Sequence, residues 1–144
     1  MHKPHKQRGF TLIEIMVVVV ILGVLAALVV PQIMSRPDQA KATAAQSDIK
    51  AIAMALDIYK LDNHNYPSTQ QGLEALVSKP SGTPPARNWN ADGYLKRLPV
   101  DPWGNPYQYL APGSRANAYD LFSFGADGRA GGEGLNADIG NWDL

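Results

Sequence analysis

The chain has 144 residues, 45% of them hydrophobic and none of them cysteine, and its 13 Lys and Arg balance 13 Asp and Glu to zero net charge. That length excludes a large multidomain enzyme, the apolar content excludes a disordered chain, and the balanced charge excludes a generally basic nucleic-acid binder. Without cysteine there is no disulfide, thiolate metal site or cysteine nucleophile, so a small exported head needs another staple, such as a bound metal or assembly.

The averages conceal an uneven chain. Residues 1–9, MHKPHKQRG, carry Lys3, Lys6 and Arg8 and no acid, which leaves the remainder near −3. Positive charge ahead of an apolar span keeps that end cytoplasmic, so the chain after Val30 is expected across the membrane, on the periplasmic side in a bacterium. The span itself, FTLIEIMVVVVILGVLAALVV from Phe10 to Val30, contains one charge, Glu14. About 20 such residues cross roughly 30 Å of hydrocarbon as a helix.

Three readings of this block stay open on the residues. A cleaved secretory signal should end in a small-residue cleavage site, and the apolar run is too long for one. A plain signal anchor fits the length but has no use for Glu14, since a carboxylate within a membrane helix costs on the order of 2.5–3.5 kcal/mol. In a prepilin-type signal, cleavage falls between Gly9 and Phe10 and leaves the apolar segment on the mature protein. The cut creates an ammonium at Phe10 that a neighbouring subunit can present to Glu14. Within one helix, Phe10 and Glu14 also share a face.

Beyond Val30 helix formers continue, and Ile49, Ile52, Leu56 and Tyr59 make an apolar stripe at helical spacing. The helix is expected to reach about residue 62, with kinks or local melting near Pro31 and Pro37. Asn63-His64-Asn65-Tyr66-Pro67 ends it. A short second helix is expected over 70–78, with Leu73, Leu76 and Val77 inward. Residues 79–93 read as a surface loop, and two or three short strands follow, including 106–110 and 119–124. Trp89, Trp103 and Trp142 are expected to pack against the helix. The fold class is α+β: a long N-terminal helix packed on a small C-terminal antiparallel sheet, with a Gly/Asp-rich loop.

That loop, residues 125–140, holds six glycines together with Asp127, Glu133, Asn136 and Asp138. Its composition predicts flexibility, yet so long a loop in a compact domain usually has a reason to be ordered. Calcium supplies one, because it takes six to eight oxygens and glycines let the chain wrap closely around it. The spacing is not that of an EF-hand. An enzyme is not expected: His2 and His5 leave with the leader, His64 in Asn-His-Asn reads as a cap, and no nucleotide or nucleophile motif is present. Asp57, Asp62, Asp92 and Asp101 read as solvated or capping residues.

Arg8-Gly9-Phe10-Thr11-Leu12-Ile13-Glu14 resembles the class III signal of type IV pilin-like proteins. Nearly the whole chain resembles the major pseudopilins of type II secretion systems within that superfamily. Pro31-Gln32-Ile33-Met34, the stretch 56–63, 66–73, Asp101-Pro102-Trp103-Gly104-Asn105-Pro106-Tyr107 and Phe124-Gly125-Ala126-Asp127-Gly128 carry the likeness. The resemblance implies a leader 1–9 removed by a prepilin peptidase that also methylates Phe10, a membrane and filament-core helix 10–30, and a periplasmic domain 31–144. It implies a fibre subunit that polymerises through its N-terminal helix to promote protein export. Minor pseudopilins and an inner-membrane assembly platform are the implied partners, and Glu14 the assembly residue. A type IV pilin and a membrane-anchored periplasmic calcium-binding module are the alternatives, and the lack of cysteine argues against the pilin.

The same resemblance implies calcium in the C-terminal loop. Its ligands are Asp127, the carbonyls of Phe124 and Arg129, and the stretch 134–138 with Asn136 and Asp138. Here the chain departs from the commoner pattern, with Gly134 near a frequent carboxylate position and a neutral Asn136, and fewer anionic ligands weaken affinity.

Overall fold

A computed structural model describes residues 9–116 and 118–144, with the side chains of 29–36 outside the description. The basic residues Lys3, Lys6 and Arg8 therefore lie outside the described residues. The chain forms two compact units that divide between Pro37 and Asp38.

Helix α1 (Leu12–Asn63) is assigned without a break across Pro31 and Pro37, so the expected local melting is absent. Each proline removes one backbone donor, and the remaining bonds of the surrounding turns keep the helix wound. In the N-terminal unit the described apolar side chains of the helix stand uncovered. The large apolar side chains from Phe10 to Leu28, among them Leu12, Ile13, Ile21 and Leu25, are more than half uncovered, from 51% at Val17 to 82% at Phe10.

In the second unit, α1 supplies one wall of the core. Ile49, Ile52, Leu56 and Tyr59 are buried at the predicted stripe and meet Leu73, Leu76, Tyr107, Tyr109, Tyr119 and Leu121. The helix stops where His64 takes a positive φ of 67° while its N–H still bonds the Lys60 carbonyl at 2.7 Å. This is the left-handed cap that an Asn-His-Asn sequence tolerates better than most non-glycine residues.

The expected second helix shrinks to one 3₁₀ turn, Leu73–Leu76, that buries Leu73, Ala75 and Leu76 and leaves Val77 half-buried. The Ser68–Gln71 pair explains why it starts late: each residue's side chain bonds the other's backbone N–H, at 2.9 and 3.2 Å, and holds a turn there. Residues 79–93 form the predicted irregular loop. It is pinned by the Trp89 indole N–H to the Ala75 carbonyl at 2.8 Å.

The sheet is antiparallel, with β1 (Gln108–Leu110), β2 (Asp120–Ser123) and β3 (Ile139–Gly140) in that order. Register is set by Tyr109 opposite Leu121 and Phe122 opposite Gly140. Tyr109 and Leu121 point at the helix, while Phe122 lies on the other face with Trp142, whose ring is 5.4 Å away. Trp142 thus packs on the outer sheet face, beneath the Arg115 guanidinium at 4.5 Å, rather than against the helix. Alternation along β2 puts Phe122 outside, and Trp142 follows it there.

Candidate functional site

Two regions carry the residues singled out by the sequence. At the N-terminal end Gly9 and Phe10 precede the helix, both exposed, and a side chain at Gly9 would meet nothing within 4 Å. The Gly9–Phe10 peptide is therefore open, non-helical backbone, the form a protease can bind in extended conformation.

Glu14 has a partner that the sequence reading missed. Its N–H donates to Thr11 Oγ1 at 3.3 Å, and its Oε2 accepts the Thr11 N–H at 3.4 Å. This reciprocal pair is a capping box at the start of α1, and Thr-x-x-Glu before an apolar run is the signal that announces it. The carboxylate is thus held at the helix N-terminus, near the positive end of its dipole, and satisfies an N–H that the helix leaves orphaned. With Phe10, Ile15, Val18 and Val19 it lines a shallow apolar recess. Among the described residues no helix is long and apolar enough to cross a membrane, and the side chains of Val29 and Val30 fall outside that set.

The second region is the C-terminal loop. It is folded back on itself: the Ala126 N–H reaches the Leu135 carbonyl at 3.0 Å, and both Asp138 oxygens accept the Gly131 N–H at 3.1 Å. Asp127 Oδ1 accepts the Arg129 N–H at 3.1 Å, closing a tight turn. Gly125, at φ 72°, lies so close to the opposite strand of the loop that an added Cβ would come within 2.7 Å of the Ala137 carbonyl oxygen and 3.0 Å of that of Leu135. Asn136 is exposed in a 3₁₀ turn, Gly134–Asn136, and its carbonyl packs against Gly132.

Calcium requires a set of hard oxygens in a backbone that can close around it, and this loop presents both. Asp127 and Asp138 are anionic, the carbonyls of Leu135 and Ala137 converge on the Gly125 backbone, and the donor set contains no soft ligand. The residues fit the ion in chemistry. Asp127, Asn136 and Asp138 make separate local contacts, and among the described residues no group of three or more His, Cys, Asp or Glu gathers as a metal site. Any site here depends on backbone carbonyls, which sequence cannot position.

Of the two readings of Asp101, solvated or capping, the structure shows the second: it is 2% exposed. Its Oδ1 accepts the N–H groups of Trp103 and Asn105, at 3.1 and 2.8 Å, and its Oδ2 accepts the Ser123 hydroxyl at 2.6 Å. Ser123 Oγ in turn accepts the Gly125 N–H at 3.1 Å. A buried carboxylate therefore ties the Asp-Pro-Trp-Gly-Asn turn to the entrance of the C-terminal loop. Asp57 and Asp62 are not simply solvated either: they accept the hydroxyls of Tyr66 and Tyr94 at 2.8 and 2.9 Å, and Asp48 accepts that of Tyr107 at 2.8 Å.

Comparison with known proteins gives one answer along the chain. The family profile "Type II secretion system (T2SS), protein G" matches residues 32–142, and "Prokaryotic N-terminal methylation motif" matches residues 4–30. The "Type II secretion system core protein G" of Pseudomonas aeruginosa is 75% identical over 96% of this chain and 96% of its own length. That of Vibrio cholerae is 58% identical over 100% of this chain and 97% of its own. Among solved structures, the major pseudopilin of the type 2 secretion system of enterohaemorrhagic Escherichia coli matches with a TM-score of 0.71 at 50% identity. It covers 81% of this chain and 98% of that one.

Proposed function

The chain belongs to the type II secretion system protein G family, the major pseudopilins, and from that premise we propose how its two regions serve a secretion fibre. It is a structural subunit, and its chemistry is association rather than catalysis. The reading of the N-terminal unit rests on one observation: an apolar helix face, from Phe10 to Leu28, that none of the described residues covers. So much uncovered apolar surface needs lipid or other helices. We assign it to the inner membrane before assembly and to the fibre core afterwards, with the leader cytoplasmic and residues 31–144 periplasmic.

Prepilin peptidase cuts the open Gly9–Phe10 peptide and methylates the new amine of Phe10. Glu14 then exchanges the Thr11 N–H for the ammonium of a neighbouring subunit, a bond with charge on both partners in place of one with charge on the carboxylate alone. The capping box lowers the cost of carrying a carboxylate until that partner arrives. Assembly proceeds with minor pseudopilins on an inner-membrane platform, and the sequence holds no nucleotide-binding motif of its own.

In the loop, Asp127, Asp138, Asn136 and the carbonyls of Phe124, Arg129, Leu135 and Ala137 are the oxygens available to calcium. Held by these oxygens, a calcium ion would supply the cross-link that cysteine would otherwise provide and would fix the loop for contact with neighbouring subunits.

N-terminal sequencing and mass spectrometry of the purified chain test the first reading. A methylated Phe10 start supports it, and an intact Met1 start overturns it. A type IV pilin is not favoured, because the relatives named above carry the secretion-system name.

A further inference from the structure

The triplet Ala-Asp-Gly occurs twice, as Ala91-Asp92-Gly93 and as Ala126-Asp127-Gly128. In an Asp-Gly pair the side-chain carboxyl is open to attack by the next main-chain nitrogen, because glycine has no Cβ to bar the approach. The reaction is intramolecular, and its rate follows how readily that nitrogen is brought onto the carboxyl carbon. The same residues flank the reacting bond in both copies, so a difference between them is made by the fold. Both aspartates are exposed, and water reaches each.

At the first copy the nucleophile is pinned. The Gly93 N–H donates to the Asn90 carbonyl at 2.8 Å. Its α-carbon is seated among three carbonyls: a Cβ there would lie 3.4 Å from the oxygens of Leu76, Val77 and Leu95. The chain beyond is tied to the same place, since the Tyr94 and Leu95 N–H groups both donate to the Leu76 carbonyl, at 2.8 and 3.0 Å. Turning the Asp92–Gly93 peptide onto the carboxyl has to break the Gly93 bond and strain its neighbours.

At the second copy it is not. Among the described residues the Gly128 N–H has no hydrogen-bond partner. Beside Gly128 lies the Asn105 side chain, whose Nδ2 would stand 3.3 Å from an added Cβ. That is one movable amide in place of three fixed carbonyls. The bond that Asp127 does make favours the approach. Its Oδ1 accepts the Arg129 N–H at 3.1 Å, and this closes a ring that contains both the Asp127 carboxyl carbon and the Gly128 nitrogen. Residues 126–129 are all exposed, so nothing packed above them resists a turn of the peptide.

We propose that Asp127 is a site of spontaneous isomerisation to isoaspartate, and that the fold protects Asp92 from the same reaction. In the first step the Gly128 nitrogen bonds to Cγ of Asp127. One carboxylate oxygen leaves as water, taking the proton of the Gly128 N–H and a second proton from solvent, and a succinimide ring remains. In the second step one water opens the ring and the borrowed proton returns to solvent. Opening at Cγ restores aspartate. Opening at the main-chain carbonyl leaves the peptide bond running through Cγ, which is isoaspartate. The product has the mass and charge of the parent, and no oxidant, reductant or cofactor takes part.

The isomerised main chain is one carbon longer and carries its carboxylate directly on Cα. The Asp127–Arg129 turn is lost, and the path between Gly125 and the far side of the loop lengthens where an added Cβ at Gly125 would already come within 2.7 Å of the Ala137 oxygen. A further consequence rests on the calcium reading of this loop: the ion loses one of the oxygens available to it. The isomerisation itself does not depend on calcium. It makes the loop a clock, in which an ageing subunit loses the staple of its C-terminal loop while its mass and charge stay the same.

The test uses the full-length chain in detergent, kept in neutral buffer with a chelator and sampled over days. Trypsin cuts after Arg87, Lys96, Arg115 and Arg129, so Asp92 lies in peptide 88–96 and Asp127 in peptide 116–129. Chromatography separates the isomers of each peptide, and radical fragmentation locates the isoaspartate. The Gly93 hydrogen bond alone is expected to make Asp127 isomerise about fivefold faster than Asp92. In denaturant the two should convert at nearly equal rates. Equal rates in the folded chain, a faster Asp92, isoaspartate at neither position, or a preference that denaturant leaves unchanged would each overturn the proposal. Chain aged to substantial isomerisation is expected to show a smaller calcium-dependent melting shift than fresh chain, and an undiminished shift overturns the loss of the staple. No shift even in fresh chain defeats the calcium reading, a failure separate from the measured rates.

Discussion

Asp120, 1% exposed at the start of β2, shows how one residue closes a loop by its charge. Its oxygens accept the N–H groups of Ser114, Arg115 and Ala116 and the Ser114 hydroxyl, at 2.7–3.1 Å. Burial alone would push the carboxyl up, but these donors outweigh it and hold its pKa at about 2, below the ordinary 3.8. The folded pKa is depressed, so the stabilisation is complete above about pH 4 and is lost as pH falls through 2. Urea denaturation of Asp120→Asn across this window should show a shallower acid slope than the parent. Asp120→Ala should cost about 2–3 kcal/mol at neutral pH by leaving the loop donors unpaired. At the other end, Glu14→Ala is expected to leave membrane insertion intact and to abolish fibres, read by membrane fractionation and fibre shearing; normal fibres would refute the ammonium exchange. Thr11→Val removes the hydroxyl half of the capping box and should weaken the helix start by about 1 kcal/mol.

At the level of elements, α1 is joined to the head by a row of phenol–carboxylate contacts. Asp48, Asp57 and Asp62 each hold a tyrosine hydroxyl from a segment beyond the helix. Apolar burial at Ile52, Leu56 and Tyr59 supplies the cohesion, and the hydroxyl bonds fix which turn of the helix meets which segment. Changing Tyr66, Tyr94 or Tyr107 to Phe should cost about 1 kcal/mol each in chemical denaturation. Leu56→Ala, which removes a fully buried side chain, should cost roughly 2–5 kcal/mol. A result in which the phenylalanine variants lose as much as Leu56→Ala would reverse this ranking. Gly125→Ala combines a left-handed backbone with a close approach to the Ala137 carbonyl, and should disorder the loop rather than the sheet, visible as faster amide exchange over 125–138.

For the whole molecule, all six tyrosines have pKa values raised above the ordinary 10. Tyr66 reaches about 12 through burial and the Asp57 carboxylate, and Tyr119 about 12 through burial and the Asp57 charge. Raised folded values mean stabilisation that is fully present below pH 10 and is lost as pH rises through 12. Spectrophotometric titration should therefore find no tyrosine ionising normally, and tyrosinate should appear with unfolding. The proposed calcium would act on the same scale. Saturating the detergent-solubilised chain to about 100 times the dissociation constant should add about 2.7 kcal/mol, a melting shift of several degrees that chelation reverses. No shift at millimolar calcium would remove the ion from the account.

The amino-acid sequence by itself determined the apolar N-terminal block, the lone Glu14, the buried stripe Ile49–Tyr59, the helix stop at Asn63-His64 and the α+β class. These are local periodicities and caps, written in neighbouring residues. Thr11-x-x-Glu14 was equally legible, and its meaning as a capping box was passed over. The third strand, Ile139–Gly140, was hidden inside a glycine-rich run because pairing with β2, not propensity, makes it a strand. Only the tertiary structure decided that Asp101 is buried, that three helix aspartates hold tyrosines, and that the loop converges backbone carbonyls at Gly125. Each depends on groups brought together from distant parts of the chain, and backbone oxygens leave no mark in a sequence. The exposed Met54, Ile58 and Leu61 on α1 stand between the two: their spacing was present in the residues, but only the fold showed that the head covers Ile52, Leu56 and Tyr59 and leaves these three open.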